Sequence, residues 1–242
     1  MVRNKMIRRV AATLGFVAFT AGLAFSSSHS GPSVSPDEAL QKLMEGNKHY
    51  VENKLTNAAM CDPATRTSLA KSQKPYAIIL TCSDSRVPPE IIFDKGLGEI
   101  FVVRVAGNIP DPVVLGSIEY AAEHLGSSLV MVLGHERCGA VTATVDSKGK
   151  STGSPNIDAI VKVVEPNVTL AAKDCDACKG EKNCAETKKN EFVECVIDTN
   201  AKTVAASLTG KSAILKHLAE ENKIKIVAAK YDLDDGTVTL FK

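Results

Sequence analysis

Four short apolar runs stand out in the chain, separated by longer stretches in which polar residues recur. They read YAIILTC, IFVVRVA, SLVMVLGH and KIKIVAAKY, and they begin at Tyr76, Ile100, Ser128 and Lys223. Such short runs, rich in Ile and Val, are typical of strands that are buried on both faces of a sheet. The C-terminal segment DLDDGTVTLF contains an Asp-Gly turn at Asp235, which predicts a further edge strand.

Helical spacing of apolar residues fills the intervals between these runs. Strands that alternate with helices predict an α/β fold, a mainly parallel β-sheet flanked by helices in a single domain. Upstream, Ser35 and Pro36 form a helix start that is followed by apolar residues at helical intervals, so we also expect an N-terminal helical arm. The helices predicted between strands are Pro112 to Leu125, Gly139 to Ser147, Asn156 to Val164, Glu191 to Leu208 and Ser212 to Asn222.

The N-terminus has the pattern of a secretory signal. Four basic residues precede an apolar stretch from Val10 to Phe25, and small residues follow. We expect a signal peptide over 1–26, a linker over 27–35 and the folded domain over 36–242. The apolar stretch is shorter than the ~20 residues of a membrane-spanning helix, so we expect export to the periplasm with no membrane span after processing. An uncleaved anchor is the alternative, and the export route stays open.

Composition narrows the class of partner. The full chain of 242 residues has 29 basic and 28 acidic residues. Removing the signal leaves a formal charge of about −3, because four basic and no acidic residues go with it. A chain this close to neutral has no electrostatic case for nucleic acid, so we expect a small-molecule substrate.

The side chains that could bind a metal ion lie where the predicted strands end. Cys82 ends the first run, His135 ends the third, and Cys138 begins the next helix. Ligands collect at the carboxyl ends of parallel strands, where these three side chains would meet. Two thiolates and an imidazole suit tetrahedral zinc with its fourth position open. The alternative is a pair of core thiols, or a disulfide, beside an ordinary loop histidine.

Three motifs carry a resemblance to a known family. CSDSR from Cys82, GHERCGA from Gly134 and GSIEYAAEHLG from Gly116 are similar to those of beta-class carbonic anhydrases, and the similarity runs from about Pro36 to Phe241. The resemblance implies an α/β domain that forms homodimers or homotetramers. It also implies one zinc ion per subunit, held by Cys82, His135 and Cys138, and reversible hydration of carbon dioxide to bicarbonate and a proton.

The charged residues after Cys82 fit that reaction. Zinc lowers the pKa of a bound water molecule to near neutral, so that the water loses a proton and becomes a hydroxide nucleophile. Asp84 would accept its hydrogen bond and aim it, and Arg86 would hold Asp84 through a forked ion pair. An ordinary loop ion pair is the alternative.

The substrate pocket is implied only by the resemblance. Gln73, Phe101 and Tyr120 match positions that line the pocket in the constitutively open subclass of the family, and the chain lacks the tryptophan on which the closed subclass relies. Taken alone, Phe101 and Tyr120 would also fit as core aromatics. Gly107 would let the backbone approach the site.

A cysteine-rich insertion at about 165–194 departs from the family pattern. Cys175, Cys178 and Cys184 crowd a polar stretch, and Cys195 follows within a predicted helix. In an oxidising compartment we expect one or two disulfides, whose pairing the sequence leaves open. A second zinc site at the Cys-x-x-Cys pair, or a redox role, is the alternative.

Two further functions stay open from the sequence. One is hydrolysis of a related molecule such as carbonyl sulfide or carbon disulfide, and the other is a noncatalytic zinc-stabilised or redox-sensing protein. Gln73 and the Asp84/Arg86 pair favour an enzyme, because a structural zinc site needs neither. The proton shuttle and the physiological direction of the reaction are not determined.

Overall fold

The computed structural model describes residues 34–56, 62–179 and 183–242. The predicted signal peptide and all but the end of the linker lie outside the described residues. Within the described ranges, no helix is both long and apolar enough to cross a membrane.

A five-stranded sheet forms the centre of the molecule. Its strands are β1 (Ala77–Thr81), β2 (Ile100–Arg104), β3 (Leu129–His135), β4 (Lys225–Tyr231) and β5 (Val238–Leu240), in the spatial order β2-β1-β3-β4-β5. The first four are parallel, and β5 pairs antiparallel with β4. The predicted α/β fold and its C-terminal edge strand are confirmed.

Helices cover the sheet and connect its strands. The predicted arm is α1, which begins after Ser35, whose side chain accepts a hydrogen bond from the Glu38 N–H group. The helices are α1 (Pro36–Val51), α2 (Pro63–Leu69), α3 (Pro89–Ile92), α4 (Pro112–Glu123), α5 (Gly139–Ser147), α6 (Pro155–Asp174), α7 (Cys184–Thr187), α8 (Lys189–Lys211) and α9 (Ala213–Glu220), with 3-10 turns at Ala106–Asn108 and Asp176–Cys178.

The core lies on both faces of the sheet. Alternate residues of β1 point to opposite sides, so Ile79 joins the cluster that contains Leu43 and Phe192, while Ile78 joins the cluster under α4 and α9. All residues of β1 and β3 are buried, which explains why these strands are apolar without interruption. Helix α8 contributes to both clusters and so links the two sides of the sheet.

The predicted end of α6 at Val164 is wrong. Pro166 favoured that end, because proline lacks a backbone N–H donor and disfavours helical geometry in the residue before it. The helix nevertheless runs to Asp174, since Val161, Val164 and Ala171 form a buried stripe along it. Tertiary packing outweighs the local preference here, and the cysteine-rich excursion begins only after this helix.

Candidate metal centre

Three predicted ligands meet at the carboxyl edge of the sheet. Cys82 directly follows β1, His135 is the last residue of β3, and Cys138 is the N-cap of α5. Strands β1 and β3 are neighbours with Thr81 opposite Leu133, so Cys82 and His135 end at nearly the same level. The topology brings together residues that are more than 50 positions apart in the chain.

The ligand atoms are close and shielded from water. The two sulfur atoms and a ring nitrogen of His135 lie within 4.8 Å of one another. Each of the three residues is at most 5% exposed. The two sulfurs are 4.0 Å apart, and both cysteines are free, so the disulfide alternative is excluded.

The hydrogen bonding of His135 fits a metal ligand. Its Nδ1 donates to the carbonyl oxygen of Glu136 at 2.8 Å, which leaves Nε2 as the lone-pair nitrogen. This Nε2 is buried and has no hydrogen-bond partner in the described part of the chain. Buried polar atoms are rarely left unpaired, and a metal ion would account for this one. A donor set of two sulfurs and one imidazole nitrogen suits zinc.

The thiols of Cys82 and Cys138 shift each other's pKa in opposite directions. The hydrogen bond from Cys138 lowers the pKa of Cys82, and the same contact raises the pKa of Cys138. Without a metal ion, one thiolate is therefore stabilised by the other group's proton. A divalent cation would displace that proton, because metal-bound cysteines are thiolates.

Asp84 and Arg86 form the predicted pair. Arg86 donates from Nε to Oδ1 at 2.9 Å and from Nη2 to Oδ2 at 2.7 Å, and its backbone N–H also reaches Oδ1 at 2.9 Å. These hydrogen bonds hold the pKa of Asp84 well below its usual range. Oδ2 lies 4.0 Å from Nε2 of His135, so the carboxylate lies at the edge of the cluster.

Arg104 supports the same loop and was not predicted from the sequence. This last residue of β2 donates from Nε to the carbonyl of Cys82 at 3.0 Å and from Nη2 to the carbonyl of Asp84 at 2.5 Å. A lone arginine at the end of an apolar strand, on the edge where the cysteines end, was the available signal.

Gly107 lies against the cluster, as expected. Its N–H group donates to the sulfur of Cys82 at 3.5 Å, and its carbonyl accepts a hydrogen bond from Asn200 of α8 at 3.0 Å. Its φ of 72° favours glycine, and an added Cβ would lie 3.3 Å from the Cβ of Ala140. Asn200 is a second residue that the sequence analysis missed.

The turn between His135 and Cys138 is also held by α8. Arg137 has a positive φ of 51°, and its backbone N–H donates to Glu194 at 2.8 Å. Its side chain makes two 2.9 Å hydrogen bonds with Asp234. Positive φ is uncommon for non-glycine residues, and here it is stabilised by contacts of both the backbone and the side chain of Arg137.

Of the other predicted pocket residues, one lies well along the sheet from this cluster and two are exposed. Phe101 pairs with Ile78, four residues before Cys82, which places it roughly 13 Å away along the strand direction. Gln73 is exposed before β1, and Tyr120 is 49% exposed on α4. Their assignment to a substrate pocket stays a prediction.

The insertion contains two disulfides, Cys175–Cys195 and Cys178–Cys184. The expected disulfides are therefore confirmed. The alternative of a second zinc site at Cys175 and Cys178 is not supported, because both sulfurs are in disulfide bonds.

Solved structures define the class of this fold. The β-carbonic anhydrase CafA of Aspergillus fumigatus matches with a TM-score of 0.64 and 23% identity, over 85% of this chain and 90% of that one. One of two tetrameric β-carbonic anhydrases from Sordaria macrospora matches with a TM-score of 0.64 and 22% identity, over 84% and 97% of the two chains. The fold is that of β-carbonic anhydrases.

Sequence comparisons extend the assignment from fold to family. The family described as carbonic anhydrase matches residues 77–238. Carbonic anhydrase 2 of Mycobacterium tuberculosis is 38% identical over 210 residues, or 86% of this chain and 94% of that protein. The carbonic anhydrase of Mycolicibacterium smegmatis is 36% identical over 86% of this chain and 95% of that protein. The chain belongs to the carbonic anhydrase family, in its beta class.

Proposed function

We propose that this carbonic anhydrase, a lyase that hydrates carbon dioxide reversibly to bicarbonate, works at one zinc ion held by Cys82, His135 and Cys138. The observation that carries the ligand assignment is the buried, unpartnered Nε2 of His135 beside two free sulfurs. A zinc ion there supplies Lewis acidity, which brings the deprotonation of a water molecule to near neutral pH.

Asp84 orients the nucleophile in this proposal. Its carboxylate is ionised and can only accept hydrogen bonds, so it accepts one from the attacking O–H group and fixes the direction of the remaining lone pairs. The three hydrogen bonds from Arg86 hold the carboxylate on the guanidinium and backbone of Arg86, so it would stay off a zinc ion bound by the three ligands.

Replacement of Cys138 by Ser tests the ligand set. We expect bound zinc and the hydration rate to fall together, because a hydroxyl is a poor substitute for a thiolate. Metal analysis and stopped-flow hydration assays measure the two. The control is Cys178→Ser/Cys184→Ser, which removes cysteines outside the cluster and should leave both at the parental level. Full zinc occupancy with parental turnover in Cys138→Ser would overturn the assignment.

The assembly is proposed to be a homodimer or homotetramer. Gln73 and Tyr120 are exposed, and Phe101 lies roughly 13 Å from the level of Cys82 along the strand direction. If these three line a substrate pocket, they do so for the cluster of another copy. Light scattering of the mature protein should therefore give a mass of at least two chains, whereas a fully active monomer would contradict the proposal.

Location in the periplasm is likewise a proposal. It is supported by the signal pattern over 1–26 and by the two disulfides, which persist in oxidising compartments. N-terminal sequencing of the protein from fractionated cells should find a chain that begins near residue 27, in the periplasmic fraction. An unprocessed chain in the membrane fraction would contradict this location.

The noncatalytic and redox-sensing alternatives are not favoured. A structural zinc would close its fourth position with a protein ligand and would not need the Asp84/Arg86 pair. Hydrolysis of carbonyl sulfide or carbon disulfide is tested by supplying each to the same preparation, and we expect rates far below that for carbon dioxide.

A further inference from the structure

A buried line of hydrogen bonds runs from the helices on one side of the sheet to the metal centre. Nδ2 of Asn167 in α6 donates to Oδ1 of Asn200 in α8 at 2.9 Å. Nδ2 of Asn200 donates to the carbonyl of Gly107 at 3.0 Å, and the N–H of Gly107 donates to the sulfur of Cys82 at 3.5 Å. Each link has its donor directed toward the metal centre.

The two asparagines have little contact with water. Asn200 is 1% exposed and Asn167 is 4% exposed. Placing two amides in a core costs free energy unless both are hydrogen-bonded, and leaving one buried partner unpaired costs about 1–3 kcal/mol. Burial also strengthens each bond, because no water competes for the donors.

The backbone conformation of Gly107 explains why its hydrogen bond from Asn200 matters for the metal centre. Gly107 has a φ of 72° and a ψ of 15°, and glycine by itself explores many other conformations at low cost. The bond from Asn200 fixes its carbonyl, which selects the conformation in which the N–H group points at Cys82. Without that bond, the local backbone has less reason to keep its donor on the sulfur.

We propose that Asn200 is a positioning residue for the metal centre, which holds the Gly107 N–H group on the Cys82 sulfur and thereby tunes this sulfur as a zinc ligand. The inference rests on the proposed function, since it takes Cys82 as a ligand. A hydrogen bond to a thiolate stabilises its charge and helps to fix where the sulfur lies, and the loss of such outer contacts typically weakens metal binding. Asn167 acts one step further out by fixing the orientation of the Asn200 amide.

Asn200→Leu tests the proposal, because leucine is similar in size but cannot donate. Zinc affinity is measured by competition with a chromophoric chelator, and the thiolate-to-metal charge-transfer band is recorded on the cobalt(II)-substituted protein. We expect a loss of zinc affinity of about 10–100-fold and a shifted band. Asn167→Leu should change both in the same direction by less.

Asn47→Leu is the matched control. Asn47 is also buried, and its side chain bonds to Ile92, Gly236 and Val238, at a place outside the metal centre. This variant should lose stability while its zinc affinity and cobalt spectrum match those of the parent. A purely structural role for Asn200 predicts the same pattern for Asn200→Leu.

The outcomes separate this inference from the proposed function. If Asn200→Leu is folded and its affinity and spectrum equal those of the parent, or if Asn47→Leu changes them equally, the positioning role is wrong. If Asn200→Leu does not fold, Asn200→Ser, whose hydroxyl is too short to reach Gly107, is judged by the same two readouts. A parental protein that fails to bind zinc would instead overturn the ligand set itself.

Discussion

Asp84 has two competing partners at the metal centre. It can stay on Arg86, or it can turn toward a metal ion held beside His135, whose Nε2 is 4.0 Å away. The structure shows the first arrangement, with three donors from Arg86 on the carboxylate. In the proposed mechanism this choice decides activity, because a carboxylate on the metal would occupy the position that the substrate chemistry needs.

Removing Arg86 should therefore impair turnover without removing a ligand. In Arg86→Ala we expect hydration to fall by about 10–100-fold or more, since Asp84 loses its orientation, while zinc stays bound. Stopped-flow assays and metal analysis on the same sample measure this. Arg66→Ala, at an exposed arginine of α2, is the control and should behave as the parent. Parental turnover in Arg86→Ala would contradict the role of the pair.

Asp84→Asn should also keep zinc and lose turnover. In addition, the difference in free energy of unfolding between the parent and Asp84→Asn should depend on pH. The pKa of Asp84 is lowered in the folded state, so its stabilising effect is fully present above the unfolded pKa of about 4 and is lost as the pH falls through the lower folded value. Chemical denaturation of both proteins measures the difference in free energy of unfolding. The difference should be constant from roughly pH 6 to 9 and shrink in strong acid. A difference that changes steeply near pH 7 would show that another group is involved.

The candidate ligands could be predicted from the sequence because Cys82 and His135 end apolar runs and Cys138 begins the helix that follows the second of these runs. Cys82 and His135 then come together because the carboxyl ends of parallel strands lie at the same edge of the sheet. Glu194 and Asn200 could not be found in this way, and Arg104 was missed although it ends an apolar strand at the same edge. Their contacts depend on how a helix or strand end packs over the site, which the local pattern does not encode.

At the scale of elements, helix α8 connects the disulfide segment to the metal centre. Cys195 lies beside Glu194, which holds the turn at Arg137, and Asn200 follows about one and a half helical turns later. The strands were predicted well because fully buried runs are short and bounded. The end of α6 was missed because a buried stripe outweighed Pro166, and only the packed structure shows that stripe.

Removal of the Cys175–Cys195 disulfide should destabilise the fold more than removal of Cys178–Cys184. The first closes a loop with a sequence separation of 20 and the second one of 6, so chain entropy predicts losses of about 3 and about 2 kcal/mol. Denaturation of the two double Cys→Ser variants gives the comparison. The reverse order would show that packing around the sulfurs, rather than loop closure, dominates.

At the scale of the whole molecule, the fold gathers its chemistry at one edge of the sheet. Cys82 comes from one segment of the chain, and His135 and Cys138 come from another. The core clusters on the two faces of the sheet hold these segments in place. The buried cluster at this edge is where we propose that the reaction takes place. The sequence could not show whether Gln73, Phe101 and Tyr120 line a pocket in another copy, because that depends on the proposed assembly.

The central claim is that hydration depends on one zinc ion held by this cluster. The most direct measurement titrates zinc into metal-free mature protein and follows carbon dioxide hydration at each step. We predict that the rate rises in proportion to bound zinc, reaches its plateau at one ion per chain, and does not rise in Cys138→Ser. Full activity in metal-free protein, or one bound zinc per chain without hydration, would contradict the account.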